Sequence, residues 1–385
     1  MQHWVTRLLA LSSALMLAGS LHAGTSLKAL GVSQPVDATN YYNFIDPPQP
    51  GHPQGLRGTQ DQWKCVNGFP NVPGCATDNS GNTVVTVQGH KNKSDLGSDV
   101  NGPSGAPAYK DLGFYRRIDL VVDKRSGHQG NVAMTTYNYD LGMCCLVDNA
   151  TSIVNMEYSP GPAGNRITKF YIYATAVTAA SEGVNPGDRI GRTVFDPNSG
   201  TAEKLNLPKA CASCHGGGKD YTVRGGSTGG GWLAFDFNVF DYSAGGDQAS
   251  NEANVKLLNQ AVLMTNASDD VRAQIYGLYG GTGLPRATQN TAYRPSSWDT
   301  EPKLWTVVVK DCQGCHTWSE VDIRSLSYWK LLDSARNIRA LIDTEKTMPN
   351  SPAGRNNLLN RDSGFGGTEY AIVNDFLTRY GAPHR

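Results

Sequence analysis

Two five-residue segments carry the most specific chemistry in this chain: Cys211-Ala-Ser-Cys214-His215 and Cys312-Gln-Gly-Cys315-His316. With 8 Cys and 8 His among 385 residues, chance supplies only about 0.003 such pentads, so two of them form a strong signal. Two thiols three residues apart can add to the two vinyl groups along one edge of a haem, while the next side chain reaches back to the iron. Each pentad therefore predicts one covalently held c-type haem. Cys211, Cys214, Cys312 and Cys315 anchor the porphyrins, and His215 and His316 are the proximal ligands. Such an imidazole must be neutral at the iron, and its other ring N–H needs an acceptor, normally a carbonyl. A redox dithiol, a zinc site and plain disulfides are the competing chemistries; the first needs a βαβ context that neither segment shows.

The iron over His316 needs a ligand on its far side. Met348 lies 32 residues beyond His316, is followed by Pro349 and stands in a polar segment (DTEKTMPNSPAG) where packing does not call for a methionine. A thioether there is a soft neutral ligand that raises the reduction potential, and the proline stiffens the loop holding it. No Met-Pro follows His215 before the second motif. Met264, on a helical stretch with Leu257 and Ala261, is one candidate and reads also as ordinary core packing. His52, His90, His128 and His384 are others, each also readable as a surface histidine, and an open sixth position is the remaining option.

Residues 300–385, with Cys312-x-x-Cys315-His316, Met348-Pro349 and a closing helix through Phe376 and Tyr380, resemble a class I cytochrome c domain. The resemblance covers less than a quarter of the chain and implies a helical fold around a haem, His/Met iron through His316 and Met348, and an electron-carrier role. The stretch from Leu207 to Trp298, with PKACASCHGG, AFDFNVFDY and LLNQAVLMTN, is similar to a group of exported bacterial dihaem c proteins without assigned activity.

The elements that must position these residues read as an α+β arrangement. Arg7, the apolar stretch from Leu8 to Leu21 and His22-Ala23 before Gly24 predict a signal peptide over 1–23, hence a periplasmic or secreted protein. No later apolar run reaches the roughly 20 residues of a membrane span. Residues 24–200 predict a β-rich region: loops and short strands at first, then strand-like runs at Arg117 to Val122, Ala133 to Tyr139 and Ile167 to Val177. The first haem region, 201–299, carries helices around Val255, Leu258 and Val262 and after Ser268, whose helix Gly280 ends. In 300–385 a helix through Trp305, Val308 and Val309 runs into the second pentad, and Thr368 caps a last one. The four cysteines outside the pentads predict disulfides, with Cys144 and Cys145 each pairing with Cys65 or Cys75 rather than with each other.

The balance of 34 basic and 34 acidic residues gives no field for nucleic acid. Three readings follow. The first is electron transfer through two haems, with redox proteins or a small-molecule donor or acceptor as partners. A dihaem redox enzyme of peroxidase or oxygenase type is the second, needing an open first iron, with Lys219, Tyr221 and Arg224 of a Gly-rich loop as lining candidates. In the third, residues 24–200 bind a partner or substrate, with Tyr41, Tyr42, Phe44, Tyr171 and Tyr173 available to stack on it, although aromatics in strands more often pack a sheet.

Overall fold

The computed structural model describes residues 35–92, 115–139, 144–194, 204–208, 211, 215, 231–242, 246–313, 326, 338–340, 342 and 358–380. The expectations for 1–23, Cys214, Lys219, Tyr221, Arg224, Cys315, His316, Met348 and His384 lie outside these residues.

Helices and an antiparallel sheet share the described chain, an α+β combination. Helices α1 (Pro35–Ile45) and α2 (Gln60–Val66) precede strands β1 (Val84–Asn92), β2 (Tyr115–Val122), β3 (Val132–Tyr139), β4 (Ser152–Pro160) and β5 (Arg166–Tyr173). After α3 (Ala176–Glu182) come the short strands β6 (Arg189–Ile190), β7 (Arg192–Val194), β8 (Lys204–Asn206) and β9 (Phe240–Asp241). Strands form a sheet in the order β6-β5-β4-β3-β2-β1-β9, while β7 and β8 pair separately. The run expected to extend to Val177 stops at Tyr173. Thr175 turns the chain by capping α3, accepting from the Thr178 N–H while Thr178 returns a bond to its backbone. Strands β1 and β4 carry polar residues at many positions and gave no continuous apolar run.

β3 and β5 are buried on both faces, so the sheet is covered twice. At its β5 side, the Phe170 N–H donates to Tyr41 Oη (2.8 Å) and the Ile172 N–H to Tyr42 Oη (3.3 Å), which ties α1 to the strand. Tyr42 stacks on Tyr171, itself stacked on Tyr173; these rings and Tyr41 are buried in the core. Helix α4 (Gln248–Leu263) lies across the sheet: Asn254 donates to the Thr86 carbonyl on β1, and Asn266, just past its end, accepts from Thr168 on β5. Its 16 residues span about 24 Å, enough to cross the four strand spacings between those strands. Helix α5 (Asp269–Tyr279) begins at the Ser268 cap and ends at Gly280, which adopts the left-handed conformation (φ 83°).

One core runs from Ala38 to Leu284, crossing residue 200 without interruption. A second joins Trp298 to α6 (Pro302–Asp311) and α7 (Glu369–Tyr380) through Leu304, Trp305, Val308, Val373, Phe376 and Leu377.

The disulfide expectation is corrected. Cys65 pairs with Cys75 (Cα–Cα 5.5 Å), and Cys144 with its neighbour Cys145. Asn79 closes the first loop by donating to the carbonyls of Cys65 and Phe69, so the two nearer cysteines meet and the adjacent pair is left to itself.

A buried ionic cluster fastens the N-terminal segment to the sheet. Glu157 on β4 is fully buried; it accepts from Arg57 Nε (2.9 Å), Lys169 Nζ (3.1 Å), Asn67 (2.8 Å) and Ser159 (2.7 Å). Asp46 in turn holds Arg57 and Arg189. Burial alone would raise the Glu157 carboxyl, but Arg57 first, then Lys169 and the hydrogen bonds, hold it at about 2. Burial pulls Lys169 down despite its partner, so Arg57 is the principal counter-ion.

Because the folded carboxyl titrates below its unfolded value of 4.5, the stability it supplies is full above that pH and is lost as pH falls towards 2. Glu157→Gln leaves the buried Lys169 without a counter-ion and Arg57 with Asp46 alone, and should cost about 3–5 kcal/mol at neutral pH. Urea midpoints from pH 7 to 2 check both statements: the variant's deficit should shrink across the acid window, and a constant deficit contradicts the assignment.

Candidate functional site

Cys211 and His215, the described residues of the first pentad, sit against the β5 side of the sheet. Leu207 N–H donates to the Gly191 carbonyl and the Cys211 N–H to the Pro208 carbonyl, which sets Cys211 on the first core, with Tyr41 and Tyr42 of α1 close enough to interact with it electrostatically. The His215 ring lies 5.4 Å from that of Phe170 on β5. Its Nδ1 is 3.0 Å from the Gly231 carbonyl oxygen, and the Gly231 N–H donates to the His215 carbonyl at 2.7 Å. A carbonyl only accepts, so Nδ1 carries the proton and Nε2 keeps its lone pair. Burial pushes the imidazole's pKa down, outweighing that hydrogen bond, and keeps it neutral. This is the tautomer, charge and acceptor that iron ligation demands.

At the second pentad, Cys312 ends α6, its N–H donating to the Val308 carbonyl. Burial first, then the carboxylate of Asp311, pushes its thiol well above the usual cysteine range. A thiol so hard to ionise is a poor redox nucleophile, which sets it apart from the low-pKa cysteines of thiol–disulfide catalysts. The adjoining Gln313 is buried, and its Nε2 donates to Asp236 Oδ2 at 3.0 Å. Asp236 is itself fully buried and accepts also from Gln274 Nε2 (2.8 Å) and, through Oδ1, from the Asn238 N–H (2.8 Å).

Behind Cys312, α6 and α7 are bound by charge as well as by packing. Lys310 pairs with the buried Glu369 at the start of α7, Arg361 lies 3.4 Å from the same carboxylate and 3.5 Å from Asp311, and Arg379 grips Glu301 with two nitrogens (2.8 and 3.0 Å). Thus the helix that enters the pentad is packed on the last described helix of the chain.

The candidate distal ligands separate clearly. Met264, the residue that caps the C-terminus of α4, is 47 % exposed in line with the exposed Leu257, whereas Ala261 is buried; the three share no single apolar face, and core packing does not account for this methionine. His128 is half-buried beside Asp123, and His52 is half-buried in a turn paired with Gln49. His90 is 1 % exposed, with neither ring nitrogen hydrogen-bonded, between Phe240 (5.0 Å) and Tyr242 (5.7 Å). Burial, aided by Arg116, holds it neutral, at about 3. It stands on β1, however, four strands or roughly 19 Å along the sheet from the β5 residue that backs His215, too far for both imidazoles to bind one iron.

Among the described residues no cluster of three His, Cys, Asp or Glu side chains is arranged to hold a bare metal ion, and no described helix is long and apolar enough to cross a membrane. The described groups do fit a haem at the first pentad: a partly buried thiol at Cys211, an imidazole whose Nε2 keeps its lone pair, and the buried Trp232 indole N–H, which meets no acceptor among the described residues and suits a haem carboxylate. Gly231, Trp232, Asp236 and Gln313 were missed by sequence reasoning; only the position of Gln313 inside the pentad hinted at a role. Comparison with family models, curated proteins and solved structures returned no match to the chain.

In the haem-free precursor, Cys312 should react with iodoacetamide at pH 8 at least about tenfold more slowly than an unperturbed thiol, because little of it is thiolate. Residue-resolved alkylation kinetics check this; an ordinary rate would contradict the raised Cys312 thiol.

Proposed function

We propose that this chain is an exported dihaem c-type cytochrome that transfers electrons through two covalently bound haems. The observation that carries the reading is the pairing of two Cys-x-x-Cys-His pentads with the Nδ1 contact to Gly231, which presents His215 as a neutral ligand. Each haem supplies reversible one-electron chemistry. The chain supplies the rest. Cys211, Cys214, Cys312 and Cys315 would attach the porphyrins, His215 and His316 would each ligate one iron, and Met348 would be a further ligand of the second iron. The packing of α6 on α7 supports a class I cytochrome c-like arrangement for residues 300–385. The β-rich half gives the first pentad a rigid wall of Phe170, Tyr41 and Tyr42.

The far side of the first haem distinguishes this carrier from a redox enzyme, since Met264 is exposed on α4 and His90 is four strands away. Ferric spin state and carbon monoxide binding to the reduced holoprotein test the point: a carrier has two low-spin, unreactive irons, and one high-spin, ligand-binding iron would point to an enzyme. Met348→Ala should lower one midpoint potential and open one haem to carbon monoxide; an unchanged potential and spectrum would remove Met348 as a ligand.

A further inference from the structure

Both pentads are tied to one short strip of chain. At its start, the Gly231 carbonyl accepts from His215 of the first pentad (3.0 Å); at its end, Asp236 Oδ2 accepts from Gln313 of the second (3.0 Å). Five residue steps separate those anchors, at most about 18 Å when fully stretched. The strip is fixed between them: the buried Asn259 of α4 accepts from the Phe235 N–H (3.0 Å) and donates to the Phe235 carbonyl (2.8 Å), and Gln289 donates to that carbonyl while accepting from the Phe237 N–H. Trp232 and Phe237 are buried in the first core on either side of it.

We propose that the strip from Gly231 to Asp236 is the spacer that sets the separation of the two haems, and that Asp236 is a positioning residue that docks the second attachment motif onto the first half of the molecule. The proposal rests on the reading of both pentads as haem sites. Three described hydrogen bonds reach Asp236, all from donors, so it serves as an acceptor with both oxygens, the behaviour of an ionised carboxylate. A fixed negative charge beside the second motif favours the more positive, ferric state of its iron. With both motifs held on one strip, the charge state of either haem is felt by the other, so their potentials depend on each other.

The test uses the full-length holoprotein. Electron paramagnetic resonance of the fully oxidised wild type should show magnetic dipolar interaction between the two ferric irons, lost when one is reduced. In redox titrations, Asp236→Asn should raise one midpoint potential more than the other, Asp236→Glu should stay near wild type, and Gln313→Leu should weaken the dipolar interaction. Two haems per chain without magnetic interaction, or an Asp236→Asn variant that moves neither potential, overturns the spacer while leaving the haem assignment standing. Fewer than two haems per chain overturns the assignment and the spacer with it. If Asp236→Asn does not fold, the wild-type resonance measurement decides alone.

Discussion

The hydrogen bond between His215 and the Gly231 carbonyl is the contact on which the proposed haem chemistry depends. It fixes which ring nitrogen carries the proton, and so which one is left for a metal. It can do so only because both partners are held: His215 by Phe170 and the Cys211 turn, Gly231 by the clamped strip that follows it. An imidazole free to rotate in water would exchange this bond for solvent and lose the fixed direction of its lone pair.

The β-rich region that precedes the first pentad supplies the packing behind Cys211 and His215. The sheet is buried on both faces, crossed by α4 and tied at β5 to α1, and the wall behind His215 belongs to it. The Glu157 cluster locks the other side, where an unpaired buried charge would be costly and a fully paired one enforces a single arrangement of α2, the preceding loop and β4. The C-terminal helices solve a smaller problem by a different route, with an apolar seam closed by Lys310, Arg361 and Arg379 against Glu369 and Glu301.

Local chemistry was readable in the sequence and long-range chemistry was not. Ser268 and Gly280 bound α5 because caps act within one turn, and Thr368 accepts the Ala371 N–H before α7 for the same reason. The pentads are likewise local. By contrast, the Cys65 to Cys75 bond depends on Asn79 folding the loop back, and the contact of Gln313 with Asp236 spans 77 positions, so no spacing rule could announce either. Met264 shows a different limit: helical periodicity groups residues that share a face but does not say which face meets the core, and here Leu257 and Met264 share the exposed one. Strands β1 and β4 escaped because burial on a sheet with two covers lets Glu157, Asn155 and His90 stand where apolar residues were sought.

Covalent attachment of two haems is the claim beneath all of this, and intact mass spectrometry of the mature chain, made in a host able to attach haem, tests it most directly. The account predicts two increments of about 616 Da each, one retained by the peptide containing Cys211 and Cys214 and one by that containing Cys312 and Cys315. A colourless protein at the bare polypeptide mass would contradict it.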